Sequence, residues 1–312
     1  MTCYNLPVPM LCECINSLLA LSLQESEREI IVIDDGSDVS PMNGLIQYGD
    51  DIIYVRQKNA GVSVARNTGM LLSRGTYIQF IDGDDYLLPS PYDQCLEWLR
   101  SHQDADALLF DFTRSGGGSL SAAAPRKYNG TEYMRTNNLH GAVWCCLFRR
   151  SAKGNLVFTP GIRYGEDEEF MAQLLLRAET LYVTDAKAYF YRKHAASAIG
   201  QKDGDSRQLR LDNTVSVIKS LNDKADRMPN NDRLALQRRV AQLTMDYLYN
   251  TIVLTRSRQE LDTRIDELYA EGLFPLPDRD YSQKYKWFRR MTNSSFGRTV
   301  LLNTLPFLSK ER

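Results

Sequence analysis

The sequence contains no apolar run close to the roughly 20 residues that a membrane-spanning helix needs. Its first residues also lack the basic segment and following apolar stretch that mark a secretory signal. The 6 cysteines form no CxxC pair, so we expect reduced thiols that serve mainly in packing. Together these absences predict a cytoplasmic protein.

A strong excess of charge of either sign is missing as well. The chain carries 38 Lys and Arg against 39 Asp and Glu, a net charge of −1, which argues against a nucleic-acid partner. With 43% hydrophobic and 25% charged residues, the composition is that of an ordinary globular protein. A length of 312 residues suits one large domain and a smaller one, and we expect them at 1–203 and 204–312.

Strand and helix signals alternate along the first two hundred residues. Short apolar runs at 29–33, 51–56, 76–81 and 107–112 predict strands, whereas 9–21 and 62–73 have helical spacing. Ser90 is expected to cap the helix that Pro91 begins. The alternation is typical of βαβ units and predicts an α/β fold with a mostly parallel central sheet. From about residue 206 the strand signals fade, and amphipathic segments predict a helical C-terminal region.

The most informative segment is Ile81-Asp82-Gly83-Asp84-Asp85, at the end of one predicted strand. Carboxylates held this close raise one another's pKa unless a cation lies between them. Oxygen ligands at short range suit Mg²⁺ or Mn²⁺, and either ion suits a substrate diphosphate. We therefore expect a metal–diphosphate site at this strand end, where open α/β sheets bind ligands. A calcium loop, a phosphatase with Asp82 as nucleophile and a solvated acidic loop are the competing interpretations.

Five segments of the chain resemble, in the same order, those of the family 2 glycosyltransferases of bacterial glycan synthesis, inverting enzymes with the GT-A fold. The segments are Tyr4-Asn5, Val32-Ile33-Asp34-Asp35-Gly36-Ser37, Asn59-Ala60-Gly61-Val62-Ser63-Val64-Ala65-Arg66-Asn67, Gly75-Thr76-Tyr77-Ile78-Gln79-Phe80-Ile81-Asp82-Gly83-Asp84-Asp85 and Gly165-Glu166-Asp167-Glu168-Glu169-Phe170. The resemblance covers roughly residues 4–200 and implies that fold. In the family a full apolar strand precedes the Tyr-Asn pair, whereas only Met1-Thr2-Cys3 precede it here. We expect either a shortened first strand or a start that is not the natural one.

On the donor side, the resemblance implies that Asp82 and Asp84 hold a divalent ion, Mn²⁺ or Mg²⁺, against the diphosphate of a nucleotide-sugar. It implies that Asp34 and Asp35 accept hydrogen bonds from uracil or ribose, although Asp-Gly-Ser is also good turn chemistry. The remaining residues that we expect at the donor site are Tyr4, Asn5, Asn59, Gly61, Arg66 and His194. The Arg66 guanidinium could pair with Asp82 or with a phosphate, and an exposed helix arginine is the alternative.

On the acceptor side, the resemblance implies that Asp167 is the general base, since an inverting transfer needs one base to take the proton of the attacking hydroxyl. Glu166 is the alternative base, or it orients the acceptor. Acids at a helix start are also favoured by the helix dipole, so capping alone is the competing explanation.

These expectations describe an inverting glycosyltransferase that moves a sugar from a nucleotide-sugar, a UDP-sugar above all, to a hydroxyl of a glycan or lipid-linked acceptor. The alternatives are a non-catalytic nucleotide-sugar-binding protein and an Asp-nucleophile phosphatase. Residues 279–298 combine basic side chains with aromatic ones, which is typical of a helix that lies on an anionic membrane face. An ordinary solvated helix face explains the same pattern, so peripheral contact with the inner face of a membrane is one of two interpretations.

Overall fold

The computed structural model describes residues 1–193, 204–279 and 281–308. The chain divides into two compact units, Met1–Tyr133 with His140–Gly200 and Met134–Leu139 with Gln201–Arg312. The expected boundary at residue 203 lies outside the described residues. The short segment Met134–Leu139 groups with the second unit, which sequence order alone did not predict.

The first unit begins with a three-stranded parallel sheet in the order β1 (Thr2–Cys3), β2 (Ile30–Asp34) and β3 (Ile52–Arg56). Every residue of β2 is buried, as expected for a continuous apolar strand with parallel neighbours. Thr2 pairs with Ile33 on one side and bridges to Asp82 on the other. Asp34, at the end of β2, and Asp82 therefore lie on opposite sides of β1.

A second, six-stranded sheet completes this unit. Its strands are β4 (Tyr77–Gln79), β5 (Tyr86–Leu87), β6 (Ala107–Thr113), β7 (Arg126–Tyr128), β8 (Cys146–Arg149) and β9 (Leu181–Phe190). The main order is β4-β8-β6-β9-β5, and β7 pairs with β9. Only β6 and β9 pair in parallel in this sheet, and the other pairs are antiparallel. Parallel pairing thus prevails around the Asp34 strand end, and mixed pairing prevails beyond it.

The helices of the first unit are α1 (Val8–Leu19), α2 (Met42–Leu45), α3 (Val62–Leu72), α4 (Pro89–Ser101), α5 (Gly130–Thr136) and α6 (Glu166–Leu175), of which α5 extends into the second. The prediction that Ser90 caps α4 is wrong, because the helix begins at Pro89 with Leu88 in extended conformation before it. The fixed φ of proline suits the first turn of a helix, so the earlier of the two prolines sets the start.

The second unit is helical, with α7 (Gly204–Ala225), α8 (Asn230–Thr255), α9 (Arg258–Ala270), α10 (Gln283–Thr292) and α11 (Ser295–Leu308). In the part of the chain that the structure describes, no helix combines the length and the apolar character needed to cross a membrane. The predicted α/β class, with a parallel sheet and a helical C-terminal region, is confirmed.

Candidate active site

Asp34 ends β2 and is fully buried. Its Oδ1 accepts a hydrogen bond from the Ser37 amide at 2.9 Å, and its Oδ2 accepts one from the Tyr54 hydroxyl at 2.8 Å. The Arg56 guanidinium lies 3.3 Å from Oδ2. Burial alone would raise the pKa of Asp34, but the hydrogen bonds of Ser37 and Tyr54 and the charge of Arg56 outweigh it and lower that pKa. In this structure the carboxylate holds the loop that follows the strand.

Asp35 fixes the start of α3. Its carboxylate accepts hydrogen bonds from the amides of Ala60 at 3.0 Å and Gly61 at 2.8 Å, and its main-chain oxygen accepts one from Asn59 Nδ2 at 2.9 Å. Helix N-termini leave such amides unsatisfied and favour a negative charge, so one carboxylate serves both needs. The two loops also approach closely at Gly36, where a Cβ would lie 2.6 Å from the Asn59 nitrogen and φ is +75°. A side chain there would push the loops apart.

Helix α3, placed in this way, carries Arg66 into the middle of the acidic segments. The buried guanidinium donates to Asp82 Oδ1 at 3.1 Å through one terminal nitrogen. Through the other it donates to Glu166 Oε1 at 2.9 Å and, in a shorter hydrogen bond, to Asp167 Oδ1. The predicted pairing of Arg66 with Asp82 is present. The structure thus brings three of the expected site residues together on one cation.

The same helix holds the loop that leads into α6. Asn67 exchanges two hydrogen bonds of 2.9 Å with the main chain of Phe158, and Ser63 Oγ donates to the Ile162 carbonyl at 2.8 Å. Gly165 then adopts a φ of +86° and precedes the first residue of α6, Glu166. Asp167 therefore reaches Arg66 because α3 grips the chain before it.

Burial dominates the acidity of the two α6 carboxylates. It raises the pKa of Asp167 well above the ordinary value, with Arg66 acting in the opposite direction and Glu166 and Asp82 adding to the rise. Burial likewise raises the pKa of Glu166, again against the Arg66 charge. A raised pKa makes a carboxylate a better proton acceptor, which suits a general base. The helix start alone would favour the charged form instead.

The acidic segment after β4 divides into two kinds of carboxylate. Asp85 is buried, and it accepts hydrogen bonds of 2.7 Å from the Tyr189 hydroxyl and from the Arg192 amide. Burial, followed by the charge of Asp82, raises the pKa of Asp85 to about 8. Asp82 and Asp84 are only partly buried. Asp85 therefore anchors the segment, and Asp82 and Asp84 are the pair that a ligand can reach.

Among the described residues, no group of three or more His, Cys, Asp or Glu side chains is arranged to hold a metal ion by itself. Mg²⁺ in proteins is nevertheless commonly held by one or two carboxylates, together with waters and substrate phosphates. The side chain of Asp82 keeps 30% of its surface exposed while one of its oxygens bonds to Arg66. Asp82, with the partly buried Asp84 two residues further on, fits an ion whose shell is completed by a diphosphate.

The remaining expected residues lie beside β1 or outside the described chain. Tyr4 is exposed. Asn5 adopts a φ of +50°, its amide donates to Ser37 Oγ at 2.9 Å, and its side chain exchanges hydrogen bonds with Asp38. Asn5 therefore belongs to the same loop cluster as Asp34. His194 lies outside the described residues.

Sequence reasoning missed Tyr189 and Arg192. The Tyr189 hydroxyl contacts the Asp82 amide at 3.3 Å in addition to Asp85. Arg192 donates from Nε to the Asp84 carbonyl at 2.8 Å and from a terminal nitrogen to Glu13 at 2.6 Å. The available signal was the basic Arg192-Lys193 pair, which follows β9 where that strand pairs with β5, next to the acidic segment.

Comparison with known proteins identifies relatives of this chain. Residues 1–155 match the model of Glycosyl transferase family 2. The uncharacterized glycosyltransferase EpsJ of Bacillus subtilis is 32% identical over 210 residues, which cover 62% of this chain and 60% of EpsJ. The minor teichoic acid biosynthesis protein GgaB of B. subtilis is 26% identical over 205 residues, covering 62% of this chain and 22% of GgaB. The chain thus spans less than two thirds of these relatives.

A solved structure extends the likeness to nearly the whole chain. The crystal structure of S. aureus TarS 1–349 in complex with UDP-GlcNAc superposes with a TM-score of 0.68 at 16% identity, covering 99% of this chain and 90% of that one. At this identity the match establishes the GT-A fold and nothing finer. The family match and the related sequences show that this chain belongs to glycosyl transferase family 2.

Proposed function

We propose that the protein is an inverting glycosyltransferase that moves a sugar from a UDP-sugar to a hydroxyl of a glycan or lipid-linked acceptor. The observation that carries this proposal is the Arg66 cluster, in which Asp82 and Asp167 bond to one guanidinium. A transfer reaction needs the donor diphosphate and the base within bond-forming reach of one acceptor hydroxyl. Family membership and the UDP-GlcNAc complex of TarS support the donor class.

In this mechanism the acceptor oxygen attacks the anomeric carbon from the face opposite the diphosphate. The new bond between oxygen and carbon forms as the bond from that carbon to the diphosphate oxygen breaks, and UDP leaves with the electron pair. The configuration at the carbon inverts because attack and departure take place on opposite faces. Asp167 takes the proton of the acceptor hydroxyl. Glu166 accepts a hydrogen bond of 2.9 Å from the same Arg66 nitrogen that bonds to Asp167, and so keeps the guanidinium in place beside the base.

Asp82 and Asp84 would hold a divalent ion, Mn²⁺ or Mg²⁺, which supplies Lewis-acid stabilisation of the departing diphosphate. Arg66 limits the rotation of Asp82 through its hydrogen bond to Oδ1. The Asp85 anchor, fixed by Tyr189 and Arg192, holds the backbone of the segment. These contacts orient the two ligands before the donor binds.

For the acceptor, GgaB supports a bacterial wall or surface glycan, because its name assigns it to teichoic acid biosynthesis.

We propose a cytoplasmic enzyme in peripheral contact with the inner face of the membrane through residues 279–298. On α10 and α11 the aromatic Trp287 and Phe296 are exposed, at 49% and 80%, and Lys284 and Arg290 are exposed too. Arg289 and Arg298 instead pair with acids of their own unit, Asp278 and Asp262. Sedimentation with phosphatidylglycerol vesicles tests this contact, and equal binding by W287S/F296S would contradict it.

The decisive experiment for the activity is a screen of UDP- and GDP-sugars for binding and slow hydrolysis with and without Mn²⁺. We expect a UDP-sugar to bind only in the presence of the metal. Asp82→Ala or Asp84→Ala should abolish this metal-dependent binding, because each removes an oxygen ligand of the ion. Asp104→Ala, at an exposed carboxylate paired with Lys127, is the matched control. Unchanged UDP affinity of both site variants with Mn²⁺ would overturn the metal assignment.

The same screen separates the two alternatives. Tight UDP binding without turnover on any acceptor would favour a non-catalytic nucleotide-sugar-binding protein. Release of inorganic phosphate without an acceptor would favour a phosphatase that uses Asp82 as nucleophile. Sugar transfer with inversion at the anomeric carbon, read by NMR of the product, would exclude both.

A further inference from the structure

Four side chains form a stack that runs from the interior at β9 to the surface. Tyr189 is fully buried, and its ring centroid lies 4.4 Å from that of Trp144 at an interplanar angle of 21°. Trp144 stacks in turn on Tyr191 at 5.5 Å and 23°. The Arg114 guanidinium lies 5.3 Å from the centre of the Tyr191 ring and 5.5 Å from that of Phe112. The outer end of the stack is therefore a cation held by two aromatic rings.

The backbone fixes this end of the stack beside the acidic segment. The Tyr191 amide donates to the Thr113 carbonyl at 2.9 Å, which ties the residue before Arg114 to the end of β9. The next residue, Arg192, donates its amide to Asp85 and its Nε to the Asp84 carbonyl. At the inner end the Tyr189 hydroxyl donates to Asp85 at 2.7 Å. The stack and the expected metal site thus share their supports.

Electrostatics gives a second sign of this proximity. Burial raises the pKa of Tyr191, the charges of Asp85, Asp84 and Asp82 raise it further, and Arg114 lowers it. The Tyr191 hydroxyl therefore lies within electrostatic range of both the three acids and the exposed Arg114 guanidinium. Within residues 1–193, 204–279 and 281–308, no hydrogen bond or ion pair engages Arg114. A guanidinium that lies on aromatic rings keeps its N–H groups available for an anion.

We propose that Arg114 binds an anionic group of the acceptor, a phosphate or a carboxylate, at the edge of the transfer site. This inference rests on the proposed function and names the acceptor class for it. An anionic acceptor that approaches Asp82, Asp84 and Asp167 is repelled by them, and a cation at the entrance offsets that repulsion. The ion that we propose at Asp82 and Asp84 would supply the counter-charge of the donor diphosphate, so we assign Arg114 to the acceptor.

Calorimetry with paired probes tests the proposal, using the full chain with UDP and Mg²⁺ present. Ribitol 5-phosphate is compared with ribitol, and glucuronate with glucose. We expect the charged member of at least one pair to bind about tenfold or more tightly than its neutral partner, the effect of one charge-assisted contact. Arg114→Gln should abolish this preference, and Arg114→Lys should keep part of it, because lysine retains the charge without the planar fork. Arg126→Gln, at an exposed arginine on β7, is the matched control and should keep the preference.

Each other result decides against the proposal. Equal binding of charged and neutral probes by the wild type overturns it, and so does an unchanged preference in Arg114→Gln. Weaker UDP binding in Arg114→Gln with the probe preference intact would assign the arginine to the donor instead. If the wild type does not bind UDP in the presence of Mg²⁺, the proposed function itself fails. Titration of the wild type with UDP and Mg²⁺ alone detects this case separately.

Discussion

An arginine buried among carboxylates occurs in each unit, and the two clusters are built differently. The Arg66 side chain is 4% exposed and that of Arg264 is 9%. Arg66 gathers Asp82, Glu166 and Asp167 from segments 16 to 101 residues away. Arg264 pairs with Glu260 and Glu267 on its own helix α9 and with Asp212 on α7.

The carboxylates of the two clusters also differ in their access to water. Around Arg66 the acidic side chains are 10–30% exposed, whereas around Arg264 they are 34–50% exposed. Acids that remain hydrated cost little to ionise, so the second cluster is an ordinary link between helices. Acids withdrawn from water are costly even when paired. A fold that keeps three of them on one cation retains an arrangement that stability alone does not require, as expected of an active site.

The largest effect should come from the base. Asp167→Asn is expected to keep the fold and donor binding but to lower turnover by roughly 10²–10⁴-fold, the usual contribution of a positioned general base. The amide preserves the shape and the helix start and loses the basicity. Turnover is measured at saturating donor, with folding checked by thermal melting.

Glu166→Gln is the matched control for this prediction, since Glu166 contacts the same guanidinium. It should reduce turnover far less. If Glu166→Gln collapses turnover and Asp167→Asn does not, the roles of the two acids are reversed. Near-wild-type transfer by both variants would mean that the acids only stabilise the start of α6.

The next effect concerns stability. Arg66→Gln removes the cation shared by Asp82, Glu166 and Asp167, so it should lower the free energy of unfolding by about 3–5 kcal/mol at neutral pH. The loss should shrink at acidic pH, because protonated carboxyl groups no longer need the cation. Urea unfolding at both pH values measures it. An unchanged midpoint at neutral pH would show that the three acids find enough water without Arg66.

A smaller effect on stability is expected from Asp34, the buried acid at the end of β2, and its pH dependence should differ from that of the acids around Arg66. The pKa of Asp34 is lowered, so its ionised form stabilises the folded state above the ordinary value of 3.8, and that contribution is lost as the pH falls through the lowered pKa. Asp34→Asn should therefore cost roughly 1.5–3 kcal/mol at neutral pH, the range for hydrogen bonds to a charged group.

The raised pKa of Asp167 predicts the opposite trend for Asp167→Asn. Relative to the wild type, this variant should gain stability as the pH rises above the ordinary range of a carboxyl group, because it avoids ionising a buried acid. Thermal melts of both variants between pH 3 and 8 compare the two slopes. Parallel slopes would contradict the opposite pKa shifts of Asp34 and Asp167.

Sequence patterns predicted the parts of this site that depend on neighbouring residues. The apolar run before Asp34 marked the buried strand β2, and the acids after Ile81 marked the edge at which we expect the ligand. The clamp of Asp35 on Ala60 and Gly61 was not visible, because its partners lie 25 and 26 residues further on. Which groups bond across such distances depends on where the loops meet, and local spacing carries no record of that.

The second sheet shows the same limit. Alternating strands and helices predicted parallel pairing, which holds for β1, β2 and β3. Beyond them β8 runs antiparallel to β4 and β6. The stack of Tyr189, Trp144 and Tyr191 depends on that pairing, since it joins β9 and the residue that follows it to the short 3-10 helix before β8.

The smallest effect should come from the second arginine cluster. Arg264→Met keeps an apolar side chain at this buried position of α9 and removes the charge together with its hydrogen bonds to Glu260 and Asp212. Its partners Asp212, Glu260 and Glu267 can return to water, so we expect a loss of roughly 1 kcal/mol or less, and a smaller one still in high salt. UDP binding and turnover should stay at wild-type values, because no proposed site residue contacts Arg264 in the described parts of the chain. Urea unfolding at low and high ionic strength, next to Arg66→Gln, gives the comparison directly. A loss as large as that of Arg66→Gln would mean that both clusters are structural, and it would remove the energetic argument that singles out the first as the active site.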